Sequence, residues 1–298
     1  MSFTVTESMV QQYGTNFRIL YQQRQSRFQN WCQMEGGIVG QSKSVERLGK
    51  TEAYDILSRH SDTQYVQVPH SRRWIDLQDK GWSELVDEMD KIRMLADPTS
   101  PYGALAVAGL NRAKDNIILS AARGNARTNF GTVALPSTQK IAVGGTSLTL
   151  AKLLAAKEIL DSNEVDDDAS MAMDGQSADE SAYRVIAVNS KMLTNLYGTT
   201  EIKSVDYNSV KALAAGQIDT FLGFKFVRTE LLYRDVAATT RFALAWSRSC
   251  IGLGIGKDIV SSIDTLPTKN YSTQVYARMS VGATRLEDEG VVEIACFE

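Results

Sequence analysis

The chain has 298 residues, a formal net charge of −3, and 43% hydrophobic and 22% charged residues. This is the composition of a globular protein with one large domain or two modest ones, able to bury a core without staples. It excludes a global attraction to nucleic acid, and no run of about 18 apolar residues, the length a membrane-spanning helix needs, occurs.

The three cysteines, Cys32, Cys250 and Cys296, are far apart and lack CxxC spacing. They read as reduced thiols, neither a disulfide framework nor a zinc site. The start, MSFTVTESMV, is polar and has no apolar core of a secretory signal. Residues 8–34 lack acidic side chains and carry Arg18, Arg24 and Arg27 among glutamines. Tyr13, Phe17, Tyr21, Phe28 and Trp31 are interleaved, the first four at multiples of about one helical turn. The segment reads either as a helical arm that docks aromatics on a partner or as a first helix packed on its own domain.

Residues 36–80 read as a long two-stranded hairpin, from GGIVGQ through SVERLGKTEAYDIL to TQYVQVPHSRRWIDLQ. Lys43, Arg47, Lys50, Arg59, Arg72 and Arg73 make it basic. An isolated ribbon is marginal in water, so it needs something to lie on. Arg72, Arg73 and Trp74 cluster near its base and are candidates for gripping an adjacent subunit, or else are solvated.

Residues 82–97, WSELVDEMDKIRMLAD, have the pattern of an amphipathic helix. The strongest helix pattern follows, with Ser100 as cap, Pro101 in the first turn, Gly124 as stop, and a stripe of Tyr102, Ala106, Leu110, Ala113, Ile117 and Ala121. Residues 125–146 are rich in glycine and threonine and read as loop or short strands. Ser147 is the expected cap of the helix in LTLAKLLAAKEILDSN. The acidic stretch 164–180 fails as a calcium loop, because Met171 stands sixth from Asp166 where glycine is needed. It reads as a solvated linker.

YRVIAV reads as a buried strand, with Asn189 capping the helix SKMLTNLYG. Asp206 is expected to cap a further helix that Gly216 stops. QIDTFLGFKFVRTELL gives a turn and a strand, and RFALAWSRSCIGLGI a further apolar strand. The last 28 residues read as two long strands around EDEG.

The stretch CIGLGIGKD, residues 250–258, raises the question of phosphate binding. A Walker loop requires G-x-x-x-x-G-K-[ST], but Ile251 stands at its first glycine and Asp258 at its hydroxyl. The dinucleotide pattern fails too, because Lys257 occupies its third glycine. The glycines therefore mark backbone needing positive φ or close packing. His60 and His70 are isolated, no GxSxG elbow occurs, and no catalytic constellation emerges. The expectation is a protein that is not an enzyme and has no cofactor or metal.

The order of parts resembles the major capsid protein of tailed bacteriophages, the Hong Kong 97 fold. The most telling passages are AVNSKMLTNLYG, ALAAGQIDTFLGFKFV and the ending VYARMSVGATRLEDEGVVEIACF. The resemblance implies an α+β fold with an N-arm at 1–35 and an E-loop at 36–80. It implies a P-domain at 81–180 and 271–298, with 99–123 as its spine helix, and an A-domain at 181–270. Candidate inter-subunit contacts are Tyr13, Phe17, Tyr21, Phe28, Trp31, Arg72, Arg73 and Trp74. The implied partners are further copies in hexamers and pentamers, a separate scaffolding protein, a portal and a decoration protein. The shell would enclose double-stranded DNA without sequence-specific binding, be assembled in the host cytoplasm, and involve no membrane. Alternatives are an encapsulin-like compartment, a tail or portal component, and a nucleotide-binding enzyme using residues 252–257.

Overall fold

In a computed structural model the described residues are 19–56, 58–59, 62–87, 99–165, 184–198, 220–237 and 239–298. Expectations for Tyr13, Phe17, His60, the acidic stretch beyond residue 165 and the helix capped by Asp206 lie outside them. The strands are β1 Gln33–Glu35, β2 Ser42–Leu48, β3 His70–Asp76, β4 Gln78–Val86, β5 Ala126–Thr128, β6 Gly131–Val133 and β7 Lys140–Ile141. They continue with β8 Arg184–Val188, β9 Thr220–Phe221, β10 Phe224–Arg228, β11 Thr240–Trp246, β12 Ile251–Leu266, β13 Ser272–Arg285 and β14 Val291–Phe297. The helices are α1 Thr99–Arg123, α2 Leu150–Ser162 and α3 Ser190–Gly198. The chain divides into two compact units: Met1–Ser26, Asp79–Ala113 and Lys257–Ser280 in the first, the remainder in the second.

The second unit is built on a six-stranded sheet ordered β7-β14-β11-β8-β10-β9. All five residues of β8 are buried, as expected of an apolar run covered on both faces. β8 pairs parallel with β10 and antiparallel with β11, whose other edge takes β14. Leu153, Ala156 and Leu160 of α2 are buried, and α2 packs against β14. The cap of α2 is Thr149, whose hydroxyl accepts the Lys152 N–H at 3.4 Å. The expected cap at Ser147 is therefore replaced by one two residues later. Asn189 caps α3 as expected, its Oδ1 accepting the Met192 N–H at 2.8 Å. In the second unit α1 buries Lys114, Asp115, Ile117, Ile118, Leu119 and Ala122. Of the expected stripe, Ala106, Leu110 and Ile117 are buried, while Tyr102, Ala113 and Ala121 are only partly covered.

The hairpin is present, with β2 and β3 antiparallel from Ser42 opposite Asp76 to Leu48 opposite His70. It is shorter than the sequence suggests, because residues 62–69 form no strand despite their alternation. β3 also pairs with β5, and β5 with β6, so the base is a four-stranded sheet ordered β2-β3-β5-β6. β5 and β6 thus extend the base of the ribbon edge to edge.

In the first unit the strands run β12-β13-β4. The pattern predicts a helix over 82–97; residues 82–86 instead belong to β4, and residues 88–97 lie outside the described residues. Backbone pairing overrides local helix periodicity here. The closing strands β13 and β14 flank the EDEG turn as the sequence suggests, but they do not pair with each other. They belong to different sheets.

Candidate assembly surfaces

The glycine stretch is strand, not a loop. Gly252, Gly254 and Gly256 lie in β12, which continues extended to Leu266. A Cβ on Gly254 would lie 2.4 Å from Ile38 Cδ1, and one on Gly252 3.1 Å from Leu286 Cδ1. Close packing, rather than positive φ, favours glycine at Gly254, while at Gly252 the Leu286 side chain would have to shift by a few tenths of an ångström. The strand presents no helix N-terminus that would cradle phosphate.

The segment before β1 splits into exposed and buried parts. Tyr21 is 102% exposed and Leu20 is also largely exposed. Phe28 is fully buried, with its ring centroid 5.6 Å from that of Trp246. Trp31 is buried as well, and its carbonyl accepts the Trp246 indole N–H at 2.9 Å. Residues 19–28 form no helix; the helical turn of this segment is the 3-10 turn Gln29–Trp31. The reading of a segment packed on its own domain therefore describes Phe28 and Trp31. Their aromaticity serves the subunit core.

Alternation gives the β2-β3-β5-β6 sheet two unlike faces. On one face Trp74 lies between two guanidiniums, Arg72 at 5.9 Å and Arg127 at 5.5 Å from its ring centre. Arg72 pairs with Glu46, and Arg127 with Asp76 at 2.6 Å. The Trp74 indole N–H donates to Asn129 Oδ1 at 3.0 Å. The other face carries Arg73, only 4% exposed, and the fully buried Ile75. Arg73 Nη2 donates to Asp288 Oδ2 at 2.6 Å. The adjacent arginines thus separate: Arg72 and Trp74 are accessible, while Arg73 belongs to the interior. A pair of glutamates at 72 and 73 would consequently place a carboxylate against Asp288 in the core and test folding instead of assembly.

Several exposed apolar side chains lie on backbone without regular structure. Tyr54, Ile56, Tyr65, Val66 and Val68 stand exposed between β2 and β3, and Phe130 is 101% exposed at the β5–β6 turn. Elsewhere in the second unit lie polar anchors that hydrophobic patterning does not reveal. Lys152 Nζ donates to the carbonyls of Val143, Thr146 and Ala295 at 2.7–2.8 Å. Burial holds its pKa below the ordinary lysine value, and the nearby Cys296 opposes that shift. Arg123 stacks over Tyr233 at 3.9 Å and Phe242 at 4.2 Å, and bonds Glu293 Oε2 at 2.6 Å. The contacts of Lys152 with Ala295 and of Arg123 with Tyr233, Phe242 and Glu293 join segments far apart in the chain, so no local sequence signal announces them.

A sequence profile of the phage capsid protein family matches residues 5–298, so the chain belongs to that family. Solved structures agree on the fold. The capsid of cyanophage P-SCSP1u is 14% identical with a TM-score of 0.70, covering 98% of this chain and 94% of that one. The capsid of Ralstonia phage GP4 is 10% identical with a TM-score of 0.73, covering 97% and 95%. The head of Helicobacter pylori bacteriophage KHP40 is 10% identical with a TM-score of 0.72, covering 99% and 98%. No curated protein sequence matches. The α+β capsid fold implied by the resemblance is the fold this chain has, and the protein is a structural component of the phage shell.

Proposed function

We propose that this chain is the subunit that forms hexamers and pentamers of an icosahedral shell around the double-stranded DNA of a tailed phage. The observation that carries this reading is the exposed set Tyr54, Ile56, Tyr65, Val66 and Val68 on backbone without regular structure. Five exposed apolar side chains on one segment offer a surface for a neighbouring subunit, and heterologous contacts that close by symmetry build rings and shells. Residues 1–35 act as the N-arm, 36–80 as the E-loop, 81–180 with 271–298 as the P-domain, and 181–270 as the A-domain. Tyr13, Phe17, Tyr21, Arg72 and Trp74 are the contact residues of this reading, while Phe28, Trp31 and Arg73 support them from inside the subunit. A separate scaffolding protein guides assembly in the host cytoplasm, and a portal and a decoration protein complete the particle. The net charge of −3 suits an interior that holds DNA without sequence-specific contact.

Negative-stain electron microscopy with light scattering on the purified chain tests this, alone and co-expressed with its scaffolding protein. Closed polyhedral shells, or free pentamers and hexamers, are the expected result. A monomer or dimer under both conditions overturns it. In the same assay Trp74→Ala is expected to raise the assembly threshold without unfolding the subunit.

A further inference from the structure

In the β2–β3 ladder Val45 lies opposite Arg73, and Arg47 lies opposite Ser71. Arg47 and Arg73 therefore share a face as diagonal neighbours, with roughly 7 Å between their backbones. Glu46 lies on the other face and is engaged by Arg72. The acidic group that reaches Arg73 is Asp288, which also accepts from Arg285 Nε at 2.5 Å. Arg285 is fully buried but satisfied: it also donates to the carbonyls of Ala122 at 3.2 Å, Gly124 at 2.7 Å and Val133 at 3.0 Å.

Arg73 and Arg47 are not satisfied. Among the described residues, Arg73 Nε and Nη1 and Arg47 Nε are buried and have no hydrogen-bond partner. Arg73 feels the charges of both Arg47 and Arg285, while its carboxylate partner Asp288 is shared with Arg285. A buried charged donor left unmade is costly, and like charges drawn out of water repel strongly. The deficit is specific in sign and position: negative charge with acceptor oxygens, between two guanidiniums. Arg47 is only half-buried, so the face can be reached from its side.

We propose that the space between Arg47 and Arg73 is an anion site that takes a carboxylate or a small oxyanion. In the unassembled subunit the anion comes from solution. In an assembly, an acidic side chain of a second copy supplies the same chemistry.

Thermal unfolding of the unassembled subunit, titrated with acetate and with inorganic phosphate at constant ionic strength, tests the proposal. A ligand that binds only the folded state raises Tm in a saturable way. The expected result is a saturable rise of several degrees for the wild type. The response should vanish in Arg47→Gln, which leaves the Arg73–Asp288 bond in place, and survive in part in Arg47→Lys. An equal response in all three chains would be a general salt effect and would overturn the site, as would the lack of any saturable response. Repeating the titration on assembled particles identifies the source. A retained response assigns the site to a free ion, and a lost response assigns it to a neighbour's carboxylate. The first measurement needs no assembly, so it stands or falls separately from the shell reading.

Discussion

The carboxylate of Asp115, buried in α1, accepts the backbone N–H of Phe28 at 3.4 Å and that of the preceding Arg27 at 3.0 and 3.2 Å. One side chain thus fixes the point where the N-terminal segment enters the core. The neighbouring ring of Phe28 is then held against Trp246. In Asp115→Ala the two backbone donors lose their acceptor, which costs about 2 kcal/mol. The variant should unfold at lower urea and be cut faster by trypsin after Arg24 and Arg27. An unchanged urea midpoint and an unchanged cleavage rate would show that the carboxylate does not hold the segment.

Gly282 illustrates packing at its tightest. A Cβ there would lie 2.2 Å from the carbonyl oxygen of Asp76 and 3.2 Å from Ile75 Cγ2. The first obstacle is backbone within the β3 ladder, which cannot swing aside. Gly282→Ala should therefore destabilise by about 3 kcal/mol through overpacking. Gly131→Ala provides the contrast: its Cβ would meet nothing within 4 Å, but its φ of +133° resists any side chain. Its cost is conformational, and it should be smaller, about 1 kcal/mol. Equal denaturation midpoints for Gly282→Ala and the wild type would contradict the argument.

How much of this was legible in the sequence depends on where each signal resides. Helix α1 and strand β8 carry their own patterns, a 3.6-residue stripe and a continuous apolar run, and both are found. Asn189 is likewise a local cap with local consequences. Trp82–Val86 misleads because its helical spacing is overridden by pairing of β4 with a strand far along the chain. Phe28 and Tyr21 look alike in sequence and differ fully in exposure, since what separates them is a neighbour, Trp246, that no local window contains. Arg72 and Arg73 part for a related reason. Alternation assigns adjacent residues to opposite faces, but only the sheet shows which face is inside, and Asp288 lies 215 residues beyond Arg73.

The buried thiols give a pH dependence with a definite sign. Burial, with Asp115 adding to it, pushes the Cys32 thiol well above its ordinary value, and burial pushes Cys296 up to about 11 from 9.0. Above pH 9 the unfolded chain therefore releases thiol protons that the folded chain keeps. Unfolding then loses protons, so these groups lower stability as pH rises, by about 1 kcal/mol per thiol at one unit above 9. Lys152, held below its ordinary value by burial, acts in the opposite direction. A variant isolates the thiol contribution: Cys32→Ala should lose Tm less steeply than the wild type between about pH 8.5 and about pH 10.5. Parallel slopes would mean that Cys32 ionises equally in both states.

Phe130 is a fully exposed aromatic on a turn that is already ordered. The Thr128 hydroxyl donates to the Gly131 carbonyl at 3.0 Å and accepts the Phe130 N–H at 3.3 Å. Asn129 is tied to the Trp74 indole, which lies between Arg72 and Arg127. A rigid platform reduces the ordering cost of docking, and anchors at interfaces are most often large side chains that enter a partner's pocket. Among the described residues nothing in its own subunit covers the ring, so its removal should leave the subunit's stability within about 0.5 kcal/mol of wild type. Assembly should respond differently. Loss of one such anchor at each contact, worth about 1.4 kcal/mol, corresponds to a tenfold weaker association. Phe130→Ser is therefore expected to unfold at the wild-type temperature but to need about ten times more protein before light scattering reports particles. Phe130→Trp, which keeps a large aromatic on the same turn, should retain most of the wild-type threshold. If Phe130→Ser assembles at the wild-type concentration, the ring is merely solvated, and the docking role passes to the exposed apolar residues between β2 and β3.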